Sequence, residues 1–332
     1  MFELIREMLK LVPEMRRRLY LSAALKVIES LFISAPYGFL VLTLNDILSH
    51  TLSRNKVFFY TAGMAACFLL QGLFFYLYAR TAYPLATKLG ERIRIIVGEH
   101  LRKLSMSYFS NKTTGDLNAL VSDELVIVGI IPRLAFPVFI TGITLPMAFI
   151  PFLLFIDWRL ALTTLVVVPL SMPFFKKNQK ILRNGFDLRS KSLITISSKI
   201  IEYVQGMAEV KAFKQTGRQF TKFDDVLRKF KKDNLDLVIQ SITPNMLYKT
   251  VLDFGFAMIL MVGAYMFLGG KITLFTFLVF LIVGLRVYEP IKAMSTVFEL
   301  VRIAEVTIGR VRTLLDTPLL PQPTNAVTPP GI

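Results

Sequence analysis

The chain of 332 residues is rich in apolar side chains and in positive charge at the same time. Hydrophobic residues make up 54% of it and its mean hydropathy is +0.55, which excludes an ordinary soluble domain and predicts a membrane protein. A formal charge of +16 would suggest nucleic acid in a soluble protein, but basic residues collect in the cytoplasmic segments of membrane proteins, so nucleic acid is not an expected partner. Cys67 is the only cysteine and the two histidines lie far apart in sequence, so neither a disulfide framework nor a metal site is predicted.

The chain starts with a short amphipathic lead-in, residues 1–15. Four apolar residues recur there at helical spacing, which predicts a helix on the membrane surface: Phe2, Ile5, Leu9 and Val12. Three arginines, residues 16–18, then precede an apolar run that is too long for a signal peptide and has no clear small-residue cleavage site. We interpret this run as a retained first span.

Six apolar runs predict six membrane-spanning helices, and therefore an all-α membrane protein. A helix of about 20 apolar residues crosses a bilayer. Prolines inside the third run are compatible with a span, because neighbouring helices can satisfy the carbonyls that they free. The predicted spans are residues 19–44, 57–78, 126–156, 160–175, 242–268 and 274–297, with short turns at 45–56, 157–159 and 269–271.

Two polar segments keep a helical pattern outside the spans. The first, Arg80 to Tyr108, would project about 40 Å from the bilayer at 1.5 Å per residue. The second, Lys176 to Gln240, joins the fourth span to the fifth. Its apolar stripe consists of Leu193, Ile196, Ile200, Val204 and Met207, and that of the first segment of Ile93, Val97, Leu101 and Leu104. Both segments are predicted to be helical stalks.

The distribution of charge predicts the orientation. Residues 176–240 carry 15 lysines and arginines, whereas the three turns on the opposite side share four. Positive residues near the spans favour the cytoplasm, so the stalks and both termini are expected there. Residues 316–332 contain five prolines, a composition typical of a linker.

Ionisable residues inside the predicted spans are the candidate site. Counted from the outer ends of their spans, Glu29, Asp253 and Glu289 lie at similar depths of about 22 to 25 Å, with Lys26 and Arg286 within a turn or two. One hypothesis is a polar layer that contacts a charged substrate. The alternative is that Lys26 with Glu29, and Arg286 with Glu289, are i,i+3 pairs that neutralise each other at helix contacts.

Four stretches resemble the transmembrane half of an ATP-binding-cassette (ABC) transporter of the exporter fold. They occur in the order and spacing of that family. The stretches are Met106 to Glu124, the turn and helix start Asp157 to Leu162, Glu202 to Phe213, and Tyr288-Glu289-Pro290 with Arg310 to Asp316. The resemblance implies a six-span domain over residues 16–315 and two coupling segments that contact an ATPase. These segments would be Thr114, Gly115, Asp116 and Leu117, and Lys214, Gln215, Thr216, Gly217 and Arg218.

The same resemblance implies a permease domain that moves its substrate by alternating access. Its partners would be an ABC ATPase, fused or separate, that carries ATP and Mg²⁺, and a second membrane half, identical or different. The sequence contains no G-x-x-x-x-G-K-[ST] motif, so we assign no catalytic residue and expect no ATP hydrolysis by this chain alone. Residues 16–38 are similar to a branch that handles siderophores; a siderophore, a lipid or another amphipathic small molecule is the expected substrate. The expected location is a bacterial inner membrane.

Two other classes are less well supported. An ATP-independent channel or secondary carrier would be favoured by a Gly-rich filter loop or by inverted repeats of broken spans, and neither is evident. A membrane enzyme would need a catalytic cluster, and none is visible. An ATPase bound to the coupling segments would distinguish the ABC interpretation from both.

Overall fold

The computed structural model describes residues 2–111, 119–212 and 216–320, and every regular element in these ranges is helical. A 3₁₀ turn at Pro13–Met15 precedes the second helix, and a π-helical segment at Ala119–Glu124 leads into the fifth. The α-helices of the described ranges are α1 (Phe2–Leu11), α2 (Arg16–Leu48), α3 (Arg54–Arg102), α4 (Met106–Asn111), α5 (Leu125–Ile156), α6 (Trp158–Gln205), α7 (Met207–Ala212), α8 (Thr216–Leu268) and α9 (Leu274–Leu315).

Six of the described helices, α2, α3, α5, α6, α8 and α9, are long and apolar enough to cross a membrane. This confirms the predicted all-α architecture with six spans. The start of α9 and the end of α8 fall at the predicted residues, Leu274 and Leu268. The first turn is shorter than predicted, because α2 continues to Leu48 and the Ser53 hydroxyl caps α3 by accepting a hydrogen bond from the Lys56 backbone nitrogen. Below, the end of the bundle with the short turns is the turn side and the opposite end is the stalk side.

The first stalk is the continuation of α3. This helix has 49 residues, about 74 Å at 1.5 Å per residue, against a hydrocarbon core of about 30 Å. Ile93, Val97 and Leu104 are buried, so the predicted apolar stripe is confirmed as a packing surface. The helix ends at Arg102 rather than at Tyr108, and a short turn separates it from α4.

The second stalk is formed by α6 and α8, which run antiparallel beside each other. The Ser192 hydroxyl donates to Asp233 Oδ2 at 2.9 Å, and the Leu237 side chain lies directly against Gly185. In the predicted stripe of α6, Ile196 is buried, but Ile200 and Val204 are exposed. The described part of the chain therefore leaves the middle of that stripe exposed.

Two apolar cores hold the bundle together, one towards each side. The stalk-side core joins α1, α3, α5 and α9 and contains Ile93, Leu125 and Val311. The turn-side core joins α2, α5, α6, α8 and α9 and includes Leu160 and Ile259. Because α5 and α9 contribute to both cores, they connect the two ends of the molecule.

Helices α3 and α5 approach each other closely at two glycines. A Cβ atom added to Gly129 would lie 3.3 Å from the Gly90 Cα and 3.4 Å from the Ala86 carbonyl oxygen. These neighbours are backbone atoms of α3, which cannot rotate away as a side chain can. Glycine at this crossing therefore allows a backbone contact that a larger residue would prevent.

Two tyrosine hydroxyls donate hydrogen bonds to neighbouring helices that contain prolines. Tyr78 of α3 donates to the Pro132 carbonyl oxygen at 3.1 Å, and Tyr288 of α9 donates to the Thr164 carbonyl oxygen at 2.9 Å. Both acceptors lie five residues before another proline, Pro137 in α5 and Pro169 in α6. Each of these hydrogen bonds therefore joins two spans within about one and a half turns of a proline.

The lead-in helix α1 packs against the bundle with its apolar face. Leu4, Met8 and Val12 are buried in the stalk-side core, and Ile5 is partly buried. Of the four predicted stripe residues, Val12 is therefore confirmed as buried, whereas the side chains of Phe2 and Leu9 lie outside the description. The buried face is directed to protein, which differs from a helix that lies with its apolar side on lipid.

Candidate functional site

One predicted ion pair is buried between helices. The Lys26 ammonium donates to Glu29 Oε2 at 2.5 Å, and the two residues are only 8% and 3% exposed. Lys26 Nζ also lies 5.6 Å from the ring centroid of Tyr78, whose hydroxyl is bound to α5. The pair is thus enclosed by α2, α3 and α5. Removing either charge would leave the other buried without its partner.

Two further pairs lie on an open face of α8 and α9. Arg286 Nη1 donates to Glu289 Oε2 at 2.6 Å within α9, and Lys292 Nζ donates to Asp253 Oδ1 at 2.5 Å across the two helices. The side chains of Glu289 and Asp253 are 60% and 61% exposed. This face therefore presents charge of both signs within the two predicted spans 242–268 and 274–297.

Helix α2 also contributes to this open face. The Arg286 guanidinium carbon lies 5.6 Å from the ring centroid of Tyr37, a cation–π distance, and the Tyr37 ring contacts Phe149 of α5 edge to face. Tyr37 was not among the predicted site residues. Tyr37 lies about two helical turns after Glu29 and 249 positions before Arg286. Nothing in the sequence indicates that Tyr37 and Arg286 are in contact.

The five candidate residues thus fall into two environments. Lys26 and Glu29 are inaccessible in this conformation, whereas Asp253, Arg286 and Glu289 are accessible. Both predicted i,i+3 pairs are present. The Asp253–Lys292 pair between α8 and α9 was not predicted, and the similar depth along the spans did not indicate that Lys26 and Glu29 face the bundle interior. A role of these residues in substrate contact stays a prediction.

The predicted coupling segments lie mostly outside the described residues. This applies to Thr114, Gly115, Asp116 and Leu117 and to Lys214 and Gln215, while Thr216, Gly217 and Arg218 begin α8 without described side chains. The described helices that precede the two segments lie at the stalk side. The first follows α4, and the second follows α7, after α6 ends with the Gly206 nitrogen donating to the Glu202 carbonyl.

The turn side contains a polar cluster that was not predicted. Asp46 accepts hydrogen bonds from the hydroxyls of Thr51 and Tyr60 and forms an ion pair with Lys56 at 2.9 Å. The cluster joins the end of α2 to the start of α3, which indicates a structural role in holding the turn. Within the described ranges, no group of three or more histidine, cysteine, aspartate or glutamate residues could hold a metal ion.

Comparisons with family models and with known proteins indicate the same family. Residues 20–284 match the model of the ABC transporter transmembrane region. An ATP-dependent lipid A-core flippase of Desulfotalea psychrophila is 22% identical over 296 residues, 86% of this chain and 50% of the flippase. A flippase of the same name from Syntrophus aciditrophicus is 25% identical over 224 residues, 66% of this chain and 36% of its own length. An uncharacterized ABC transporter ATP-binding protein of Bacillus subtilis is 23% identical over 243 residues, which are 72% of this chain and 41% of that protein. The chain spans half or less of the length of these relatives.

Proposed function

Because the chain belongs to the family of ABC transporter transmembrane regions, we propose that it forms half of the translocation pathway of an ATP-driven transporter. The observation that supports this proposal is the open face with the pairs Arg286–Glu289 and Asp253–Lys292. Charged groups in the middle of a span are costly in lipid and are expected to border a pathway or a partner. A second membrane half, identical or different, would close this face.

The motor of this transporter would be an ABC ATPase that binds ATP and Mg²⁺, either fused to this chain or separate. Two features support its attachment at the stalk side: α3, α6 and α8 extend beyond the length of a span, and the short helices α4 and α7, which precede the predicted coupling segments, follow the ends of α3 and α6. Closure of two ATPases would move these ends, and the stiff helices would carry the movement to the spans. The stalks would transmit force without taking part in chemistry.

The substrate would be an amphipathic small molecule with a charged group. The open face combines both charge signs with the aromatic ring of Tyr37, which lies beside Arg286. Two of the compared relatives are named lipid A-core flippases, so a lipid is the first class to test. A siderophore is the second class, because the start of the first span is similar to a siderophore-handling branch.

Isolation of the native protein from its own membrane tests the ATP-driven function. We expect either a mass well above 37.7 kDa, which indicates a fused ATPase, or a separate ATPase that co-purifies. Reconstituted vesicles should transport only with ATP and Mg²⁺. Transport that continues without ATP, with no ATPase attached, would contradict the proposal and favour a secondary carrier or a channel.

Amide variants test the role of the open face. In the assembled transporter, Asp253→Asn and Glu289→Gln should reduce substrate-stimulated ATP hydrolysis by about tenfold, the effect of losing a hydrogen bond to a charged group. Basal hydrolysis should be unchanged. Glu305→Gln is the matched control, because Glu305 forms the same kind of i,i+3 pair with Arg302 outside the predicted spans. If the substrate stimulates ATP hydrolysis equally in all three variants, the open face does not take part in the pathway.

A further inference from the structure

A groove on the stalk side separates α1 from α2 and α5. It encloses about 620 Å³, and its α2 wall is formed by residues at three- and four-residue steps, so one face of that helix lines it. The first of these residues is Arg16, and the later ones include Ala23 and Val27. Phe136 and Ile140 of α5 form the opposite wall. The lining thus changes from basic to apolar along the helix.

Helix α1 forms the third wall and contributes two more cations. Arg6 and Lys10 line the groove, while Leu4, Met8 and Val12 on the other side of α1 are buried in the stalk-side core. The groove is therefore built between docked elements and does not result from a loosely attached helix. Its cations lie beside the start of the first span, where a bilayer has its head groups.

The carboxylate of Glu7 interacts with two of these three cations, Lys10 and Arg6. Lys10 donates to Glu7 at 2.5 Å, and this hydrogen bond is the main reason why the pKa of the Glu7 carboxyl lies below its ordinary value. Glu7 is therefore ionised at neutral pH and offsets part of the Lys10 charge. Arg16 lies over the Tyr20 ring, with its guanidinium carbon 5.6 Å from the ring centroid, a cation–π distance.

We propose that this groove binds one anionic membrane phospholipid. Its phosphate would lie between Arg6, Lys10 and Arg16, and an acyl chain would lie along the apolar walls. From Arg16 to Val27 the α2 wall is about 16 Å long, close to one half of the roughly 30 Å hydrocarbon core, which suits a lipid of one leaflet. The site is separate from the open face of α8 and α9 and does not depend on the proposed transport function.

Native mass spectrometry of the purified chain in detergent micelles tests the head-group contact. The protein is titrated with phosphatidylglycerol and with phosphatidylcholine of the same acyl chains, and the first bound lipid is counted. A surface cation contributes about fivefold to binding of an anionic lipid, so the double variant Arg6→Gln with Arg16→Gln should bind phosphatidylglycerol about 25-fold more weakly. Arg17→Gln with Arg18→Gln is the matched control, because these neighbouring cations do not line the groove.

A second pair of variants tests the acyl contact. Val27→Trp would fill the apolar part of the groove without changing any charge, whereas Ile28→Trp places the same ring at an equally exposed position outside it. We expect weaker phosphatidylglycerol binding only for Val27→Trp, with unchanged melting temperatures in both. Equal binding of the two lipids by the unmodified chain, or selective binding that survives Arg6→Gln with Arg16→Gln or survives Val27→Trp, would overturn the proposal.

Discussion

The burial of Lys26 and Glu29 determines how much their ion pair matters for stability. Their spacing of three residues predicted the contact, and the structure confirms it. The sequence could not show that α3 and α5 enclose the pair, because that depends on contacts with residues such as Tyr78, 52 positions away from Lys26. A pair on an exposed helix contributes little to stability, whereas a buried pair is costly to break.

Removal of one charge from this pair should therefore destabilise the protein. Lys26→Met leaves Glu29 buried without its partner and is expected to lower the free energy of unfolding by about 3 to 5 kcal/mol, measured in mixed micelles. The double variant Lys26→Met with Glu29→Leu should recover most of this loss. The matched control Lys199→Met breaks an exposed pair and should cost less than about 1 kcal/mol. A similar loss in both single variants would show that burial is not the cause.

Gly129 provides a second test at the level of single residues. Gly129→Val would place methyl groups against the α3 backbone and should lower the free energy of unfolding by about 1 to 3 kcal/mol through overpacking. Gly98→Val is the control, since a Cβ atom on Gly98 would meet no atom within 4 Å. Unfolding measurements that rank the two variants in the opposite order would contradict the close crossing of α3 and α5.

At the level of helices, periodicity identified the stalks but not what covers them. The stripe of α3 is buried by α5 and α9, whereas Ile200 and Val204 in the stripe of α6 remain exposed. Periodicity reports which side of a helix is apolar, and the partner of that side depends on the whole fold. For α1, the buried face includes Leu4 and Met8, which had not been singled out, because two overlapping apolar stripes occur in ten residues.

The hydroxyl of Tyr288 links two long helices and can be removed without changing the size of the ring. Tyr288→Phe deletes the donor to the Thr164 carbonyl and should lower the free energy of unfolding by about 1 kcal/mol. Tyr265→Phe, at a largely exposed position on α8, is the control and should have no measurable effect. If the two variants unfold alike, the hydrogen bond does not hold α9 to α6.

For the whole molecule, long apolar runs were sufficient to predict six spans and their order. Residues in the short turns define several helix ends. Asp157 caps α6 by accepting hydrogen bonds from the backbone nitrogens of Arg159 and Leu160, and Gly270 adopts a positive φ of 67° in the turn between α8 and α9. The site was harder to predict, because the accessibility of Asp253 and the enclosure of Glu29 are properties of the packed bundle. Depth along a span does not specify the direction of a side chain.

The six spans and the charge distribution predict which sites share a side of the membrane. In a Cys67→Ala background, cysteines at Ser49 and Lys271 should react with an impermeant maleimide added outside intact cells. A cysteine at Gln205 should react only after the membrane is opened, because the cation-rich stalks are expected inside. Labelling of denatured protein controls for reactivity. If Gln205→Cys is labelled from outside intact cells, the orientation in the membrane is opposite to the predicted one.

The docking of α1 against α9 also determines when the protein can finish folding. Leu4, Met8 and Val12 share the stalk-side core with Val301, Val311 and Leu314, and Glu7 lies 3.7 Å from Arg312. Synthesis proceeds from the N-terminus, so α1 leaves the ribosome before α9, and the surface that α1 binds is complete only after α9 has been made. Until then the apolar residues of α1 need lipid or a chaperone, and their burial marks the docking of α1 against α9.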